Sequence, residues 1–361
     1  RIDLRQPLPL ALEYLATVLP IVPVQRQTGP VEFARMPIGT GPYRLGGREE
    51  DGALHLVRNP LYFAGGPKGR PAIGTLLFRT ISDDETGVRA LVAGEADWIW
   101  QFNPARLASL GQTPGVAAAM VDSLRIGFLS MDVAGRGPRA APLADRRVRE
   151  AVALAIDRAT LASRFGGAGA KPLDAPCAPT QFGCDAGGAA RYPYDPARAR
   201  LLLAEAGLAE GFETDLVSYV LPPWGTEVQA DLAAVGIRAR LHQVQPAEAG
   251  ERLRAGAAPL LLGTWGSGSI NDVAGVLPHF FGGGPMDQAR DPTLVALMRE
   301  AEQAADPDRR RAIYTAAIRR ITAQLDWLPM FPVATTYGFA ENLNFRPPAD
   351  EIPRFYLASW R

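Results

Sequence analysis

The order of apolar and polar residues in the first third of the chain is typical of an α/β protein. Residues 75–81 alternate as a half-buried strand does, and residues 96–100 repeat that pattern. Between them, residues 83–92 can form a short helix with Ser82 or Asp83 as its N-cap. A strand, a helix and a strand in so short a span predict a crossover unit with both strands in one parallel sheet.

The rest of the chain is richer in helical patterns. Apolar residues recur at helical spacing in one segment, at Val148, Ala151, Val152, Ala155 and Ile156. Three Asp-Pro pairs predict helix starts at Asp195, Asp291 and Asp306, because aspartate accepts first-turn N–H groups and proline needs no N–H there. Gly207 is placed to end the first of these helices. Residues 237–244 and 260–262 are predicted strands.

Length and charge narrow the class of protein. A chain of 361 residues exceeds what one hydrophobic core usually organises, so two lobes are expected. Basic and acidic residues balance at 38 each, which argues against a nucleic-acid partner because phosphate binding requires a basic excess. The longest charge-free stretch, residues 255–271, is interrupted by Pro259 and rich in Gly and Ser, so no membrane span is predicted.

The sequence lacks the usual signatures of catalysis and metal binding. The three histidines, His55, His242 and His279, are far apart and have no metal-binding spacing, and no metal site or cofactor is predicted. Hydrolase, zinc-protease and P-loop motifs are absent. A hydrolase using scattered carboxylates such as Asp83 and Asp84 is the enzymatic alternative, but acids at this position suit a helix N-terminus.

Cys177 and Cys184 flank a six-residue loop. A disulfide would close that loop and favour an oxidising compartment. Two free thiols or half of a metal site are the alternatives, and no histidine lies nearby in sequence to complete such a site.

A series of short segments follows one another in a specific order. They are Gly39-Thr-Gly-Pro-Tyr-Arg-Leu45, Leu56-Val-Arg-Asn-Pro-Leu-Tyr62, Gly94-Glu-Ala-Asp97, Pro142-Leu-Ala-Asp-Arg-Arg-Val-Arg149, Ala155-Ile-Asp-Arg158, Tyr194-Asp-Pro-Ala-Arg-Ala-Arg200, Leu203-Ala-Glu-Ala-Gly207, Trp265 after an apolar strand, and Leu328-Pro-Met-Phe-Pro332. Each segment alone is a weak signal. Together, in this order, they resemble the family 5 extracellular solute-binding proteins, which include dipeptide, oligopeptide, nickel and opine receptors.

The resemblance implies a two-lobe α/β fold of the periplasmic-binding-protein type (class II, cluster C) and a non-enzymatic function. Members of the family carry a signal sequence and a further stretch ahead of the position matching Arg1. The chain is therefore expected to lack the first part of lobe I and the small extra domain. Residues 1–130 would form partial lobe I, residues 131–333 lobe II, and residues 334–361 a return to lobe I.

The resemblance also implies how such a protein works. It would be a periplasmic or otherwise extracytoplasmic monomer that closes two lobes on a small solute, with peptides as the family default. It would then deliver the solute to the permease subunits of an ABC importer. A receptor-derived sensory or chaperone-like protein that is not coupled to uptake is the alternative.

Candidate ligand contacts lie in the loop after Trp265. Its tryptophan offers a flat apolar wall, and glycines such as Gly266 let backbone donors approach a ligand. Ser267, Ser269 and Asn271 are candidates for neutral hydrogen bonds, with an ordinary turn as the competing interpretation. The peptide receptors carry an aspartate three residues after the tryptophan, which pairs with the ligand's α-amino group, and Gly268 stands there in this chain.

Four further residues complete the predicted site. Asp272 is a candidate replacement for the missing aspartate, or else the N-cap of the following helix. Arg125 and Phe128 lie in the segment that matches the strand crossing the cleft, and Arg125 has the planar donor fork that suits a carboxylate. Trp100 shares a strand face with Trp98, and core packing is the alternative role for that pair.

Overall fold

The helices and strands of the chain group into two units in a computed structural model that describes residues 3–4, 6–17, 36–63, 65–81, 83–137, 139–167 and 169–361. The larger unit contains Asp122–Ala334 and the described residues up to Ala11. The smaller unit contains the described residues from Leu12 to Val121, together with Thr335–Arg361.

The strands of the described residues, in chain order, are β1 (Tyr43–Arg48), β2 (Leu54–Arg58), β3 (Thr75–Phe78), β4 (Trp98–Trp100), β5 (Val116–Val121), β6 (Ile126–Met131), β7 (Phe212–Ser218), β8 (Ile237–Gln243), β9 (Leu260–Trp265), β10 (Trp327–Pro332), β11 (Thr335–Ala340), β12 (Leu343–Asn344) and β13 (Ser359–Trp360). The α-helices are α1 (Ala11–Thr17), α2 (Asp84–Val92), α3 (Leu107–Leu110), α4 (Arg146–Ala155), α5 (Arg158–Leu161), α6 (Pro196–Glu205), α7 (Pro222–Ala234), α8 (Pro246–Arg254), α9 (Leu277–Phe281), α10 (Pro292–Gln303) and α11 (Pro307–Gln324).

The smaller unit is built from antiparallel pairings. Strands β1, β2 and β3 form one sheet, β11 lies between β4 and β5 in a second, and β12 pairs with β13. The prediction that residues 75–81 and 96–100 share one parallel sheet is therefore wrong, because β3 pairs with β2 while β4 pairs with β11. Aromatic rings fill the interior beside β11, with Trp98 packed edge-on against Phe345 and Phe355.

The larger unit contains a mixed sheet in the order β10-β6-β9-β7-β8. Strand β7 runs parallel to both β8 and β9, and β6 runs antiparallel to β9 and β10. One apolar cluster contains Leu216, Trp224 and Leu262, and a second contains Phe128, Phe280 and Trp327. Both clusters consist of buried side chains, which is the expected arrangement for a sheet covered by helices.

The predicted helix starts are confirmed. The side chains of Asp195, Asp291 and Asp306 each accept a first-turn backbone N–H, and proline follows each of them. Gly207 follows the end of α6 with a φ of +79°, a left-handed conformation that favours glycine. Asp83 is the N-cap of α2, whereas the alternative cap, Ser82, lies outside the described residues.

Candidate ligand-binding face of the larger unit

Arg125 and the end of β9 come together where β6 begins. Strands β6 and β9 pair so that Ile126 lies opposite Trp265, which brings Arg125 next to the last residues of β9. The Arg125 guanidinium donates to Thr264 Oγ1 over 3.2 Å, and the Tyr219 hydroxyl donates to the Thr264 carbonyl over 2.7 Å. A Cβ atom at Gly263 would overlap the Tyr219 ring, so the glycine allows this close approach.

Trp265 is held by one hydrogen bond and two aromatic contacts. Its indole N–H donates to the Gly275 carbonyl over 2.8 Å. Its ring stacks on His279, with centroids 4.4 Å apart, and meets Phe280 edge-on at 5.1 Å. Because Trp265 remains partly exposed, its indole can offer a fixed apolar surface to a bound molecule.

Two titratable groups at this face have shifted pKa values. Burial raises the pKa of the Tyr219 phenol, and the nearby Arg125 charge only partly offsets this effect. Burial of the His279 ring lowers the pKa of that imidazole although the residue keeps solvent access. Both side chains are therefore neutral near pH 7, which leaves the Arg125 guanidinium as the charged group of this set.

The loop after Trp265 is a tight turn. The Ile270 N–H donates to the Ser267 carbonyl over 3.1 Å, and Gly268 and Ser269 both have positive φ, +60° and +69°. Ser267 is buried, and its hydroxyl donates to the Ile270 carbonyl over 2.9 Å. Its hydroxyl thus bonds within the loop, as expected for a turn residue, and its ligand contact stays a prediction.

Asp272 is an N-cap with an internal ion-pair partner. Its carboxylate accepts the Ala274 N–H over 2.9 Å at the start of a 3₁₀ turn and is paired with the buried Arg310. The side chain is buried and acts as the N-cap that the alternative interpretation describes, while its replacement of the missing amine-binding aspartate stays a prediction.

The other two predicted contacts are Phe128 and Trp100. Phe128 is fully buried and stacks on Trp327 with ring centroids 4.0 Å apart, which is a core position, and its ligand contact stays a prediction. Trp100 belongs to the smaller unit, where it is 38% exposed and lies beside Trp98.

The predicted residues that keep solvent access at this face are Arg125, Trp265, Gly266, Ser269 and Asn271. Tyr219, Thr264 and His279 also lie here and were not predicted from the sequence. Tyr219 directly follows β7, which is parallel to β9, and the carboxyl ends of neighbouring parallel strands meet at one edge. That rule would have identified Tyr219, whereas His279 had no comparable signal.

Cys177 and Cys184 form a disulfide, with sulfur atoms 2.10 Å apart. In the described part of the chain, no group of three or more His, Cys, Asp or Glu side chains could hold a metal ion. Across the same residues, no helix combines the length and the apolar character needed to cross a membrane.

The chain is similar in sequence to known solute-binding proteins. It matches the family described as "Bacterial extracellular solute-binding proteins, family 5 Middle" over residues 1–288. Di/tripeptide-binding protein 2 of Pseudomonas aeruginosa is 30% identical over 316 residues, 83% of this chain and 57% of that protein. Heme-binding protein A of Haemophilus influenzae is 30% identical over 319 residues, 84% of this chain and 55% of that protein. The chain thus spans little more than half the length of these relatives.

Solved structures share its fold. The periplasmic binding protein DppA from Helicobacter pylori, in complex with the peptide STSA, superimposes with a TM-score of 0.85 at 20% identity, covering 99% of this chain and 71% of that one. The dipeptide binding protein from Pseudoalteromonas sp. SM9913, in complex with Met-Leu, gives 0.87 at 18% identity, covering 99% and 73%. The predicted α/β fold of the periplasmic binding proteins is confirmed. The chain belongs to family 5 of the bacterial extracellular solute-binding proteins.

Proposed function

We propose that this chain is the ligand-capturing receptor of an ABC importer, acting outside the cytoplasm and not as an enzyme. The observation that carries the proposal is made in a member of a solute-binding family: the partly exposed Trp265 indole ends β9, and the Arg125 guanidinium, bonded to the neighbouring Thr264, precedes the paired strand β6. An apolar wall with a few fixed polar groups is the usual composition of a small-molecule site.

The ligand class that this face fits best is a peptide or peptide-like molecule with a carboxylate. Trp265 would contact an apolar group of the ligand, and Arg125 would bind its carboxylate. Gly266, Ser269 and Asn271 would supply polar contacts from the loop. Because the Asp272 carboxylate pairs with Arg310 and accepts the Ala274 N–H, we do not expect it to bind an amino group of the ligand.

The two units would act as the two lobes of the receptor. The lobe boundaries would then lie at the chain crossings between Val121 and Asp122 and between Ala334 and Thr335. Lobe closure on the ligand would present the closed form to the permease subunits, with Trp100 as a candidate contact from the smaller unit. The receptor would be a periplasmic monomer.

A thermal-shift screen tests this proposal. The probes are Met-Leu, Ala-Ala-Ala, a nickel–histidine complex and mannopinic acid, each titrated against the chain. A bound probe raises the melting temperature with concentration, since it binds only the native state. We expect a peptide to do so, and we expect Trp265→Ala to reduce the shift at every peptide concentration.

Tyr194→Ala is the matched control, because it removes a half-exposed aromatic side chain from the same unit, away from the face. Its shift should equal that of the unsubstituted chain. An equal loss of the ligand-induced shift in Trp265→Ala and Tyr194→Ala would contradict the placement of the site at Trp265. A folded chain that responds to no probe would contradict uptake of these solutes and favour a sensory or chaperone-like role.

A further inference from the structure

The disulfide loop, residues 177–184, lies against the Trp265 loop, residues 266–272. The Phe182 N–H donates to the Asn271 carbonyl over 3.1 Å, and the Val273 N–H donates to the Phe182 carbonyl over 3.0 Å. These two bonds form a short parallel bridge between Phe182 and Asp272. The backbone of the Trp265 loop is therefore paired along one side with a segment that the Cys177–Cys184 bond closes.

Gln181 connects the two loops through its side chain. Its buried amide nitrogen lies 3.0 Å from Ser267 Oγ and 3.2 Å from each of the carbonyl oxygens of Ile270 and Asp272. Its amide oxygen accepts the Ala178 N–H over 2.9 Å, within the disulfide loop. One side chain thus binds the Trp265 loop at three positions and is itself fixed by the disulfide loop.

Phe182 secures the end of the Trp265 loop. The guanidinium of Arg310 lies 4.4 Å from the centre of the Phe182 ring, and that of Arg311 lies 4.8 Å from it. Arg310 also pairs with Asp272, the last residue of the Trp265 loop. The disulfide loop therefore supports both the backbone and the buried ion pair at this end.

The conformation of the Trp265 loop carries a local cost that these contacts offset. Ser269 has a positive φ, which a residue with a side chain adopts at a cost, and Ser267 and two carbonyl groups are directed at a buried amide. Without that amide, each of the three acceptors would lose one hydrogen bond; the Ile270 carbonyl would keep its bond from Ser267 Oγ, and the Asp272 carbonyl its bond from the Gly275 N–H.

We infer that Gln181 is a positioning residue, which together with the disulfide loop sets the shape of the Trp265 loop for ligand recognition. Gln181 does not touch the ligand; it fixes the backbone that presents Gly266, Ser269 and Asn271. The effect on affinity rests on the proposed function, whereas the effect on loop conformation does not.

The test is hydrogen exchange of the Trp265 loop in Gln181→Met, which keeps the side-chain length and removes the amide. Exchange at Ile270 and Val273 should accelerate by about tenfold or more, while amides of β6 and β9 keep their protection. The affinity for whichever of Met-Leu and Ala-Ala-Ala binds the unsubstituted chain should fall by about tenfold, because the loop must then be ordered on binding.

Gln288→Met is the matched control. Gln288 is also buried in the larger unit and makes two hydrogen bonds, to Ser130 and to the Ala258 carbonyl, which lie outside the Trp265 loop. It should leave exchange at Ile270 and Val273 unchanged. Equal acceleration in both variants, or none in Gln181→Met, would overturn the inference.

Two further results separate this inference from the proposed function. If Gln181→Met does not fold, the double variant Cys177→Ala with Cys184→Ala takes its place, and it should accelerate the same amides. Faster exchange with unchanged affinity would overturn the role of Gln181 in recognition. If the unsubstituted chain binds neither peptide, the proposed function fails, and the exchange result alone decides whether Gln181 shapes the loop.

Discussion

Asp326 is a buried carboxylate between α11 and β10 with an incomplete set of partners. It is 4% exposed, and its Oδ2 atom is among the buried side-chain atoms that have no hydrogen-bond partner within the described residues. The nearby Arg149 donates instead to the carbonyls of Leu143, Ala144 and Gln324. Burial raises the pKa of Asp326 to about 7; the Arg149 charge opposes this, and the carboxylates of Asp291 and Asp287 add to it.

Asp326→Asn should stabilise the protein above pH 7 and have little effect near pH 4. The native state keeps the proton on Asp326 up to about pH 7, whereas the unfolded chain releases it near its ordinary pKa of 3.8. As the pH rises between these values, the free energy of unfolding therefore falls by on the order of 1.4 kcal/mol per pKa unit, up to a few kcal/mol in all. Asparagine does not titrate, so Asp326→Asn should not show this fall.

Denaturant unfolding of Asp326→Asn and of the unsubstituted chain at pH 4, 6 and 8 measures the difference in their free energies of unfolding. Asp308→Asn, at a solvent-exposed position of α11, is the control and should follow the pH dependence of the unsubstituted chain. A constant difference between Asp326→Asn and the unsubstituted chain at all three pH values would contradict the assigned titration.

The burial and the hydrogen-bond partners of individual residues could not be predicted from the sequence. Arg158, in the Ala-Ile-Asp-Arg segment that helped to identify the family, is buried and donates to the carbonyls of Leu173, Tyr192 and Pro329. Those acceptors are distant in sequence, so no local pattern predicts them. The same holds for Phe128 and Trp265, two aromatic residues of similar sequence context, of which one is fully buried and the other is partly exposed.

Among the helices and strands, the helix starts could be predicted from neighbouring residues alone. Helices α6, α10 and α11 begin after Asp-Pro pairs because first-turn N–H groups need an acceptor, and the aspartate that accepts them is only a few residues away in sequence. Strand pairing is different, because β4 finds its partner in β11, near the other end of the chain. The alternation of residues 96–100 predicts a strand but carries no information about that partner.

Asp306→Ala should lower the free energy of unfolding by about 1 kcal/mol through loss of the α11 cap. The Asp306 carboxylate accepts the N–H groups of Asp308 and Arg309, and alanine would leave both without that acceptor. Asp306→Asn is the matched control, since asparagine caps helices nearly as well. Chemical denaturation should show the loss in the alanine variant alone, and equal stability of the two variants would contradict the cap.

At the scale of the whole molecule, the order of the short segments identified the family because it covers nearly the whole chain. Two of those segments pair in the structure: Asn59, in the second, donates through its side chain to the Gly41 carbonyl over 3.0 Å, and its N–H donates to the Pro42 carbonyl over 2.8 Å. Such pairings maintain the fold and do not specify a ligand. Under the proposed function, we expect ligand specificity to depend on the few residues around Trp265, where Gly268 stands in place of the aspartate that the family resemblance implies.

Isothermal titration of Met-Leu and Ala-Ala-Ala into the unsubstituted chain, Trp265→Ala and Tyr194→Ala tests whether the residues around Trp265 bind peptide. We expect saturable one-to-one binding of at least one peptide, with the same affinity in Tyr194→Ala and an affinity lower by tenfold or more in Trp265→Ala, since a buried aromatic anchor typically contributes about 2 kcal/mol or more. Binding of equal affinity in all three folded proteins would place the site elsewhere. An absence of binding in the folded, unsubstituted chain would contradict its function as a peptide receptor.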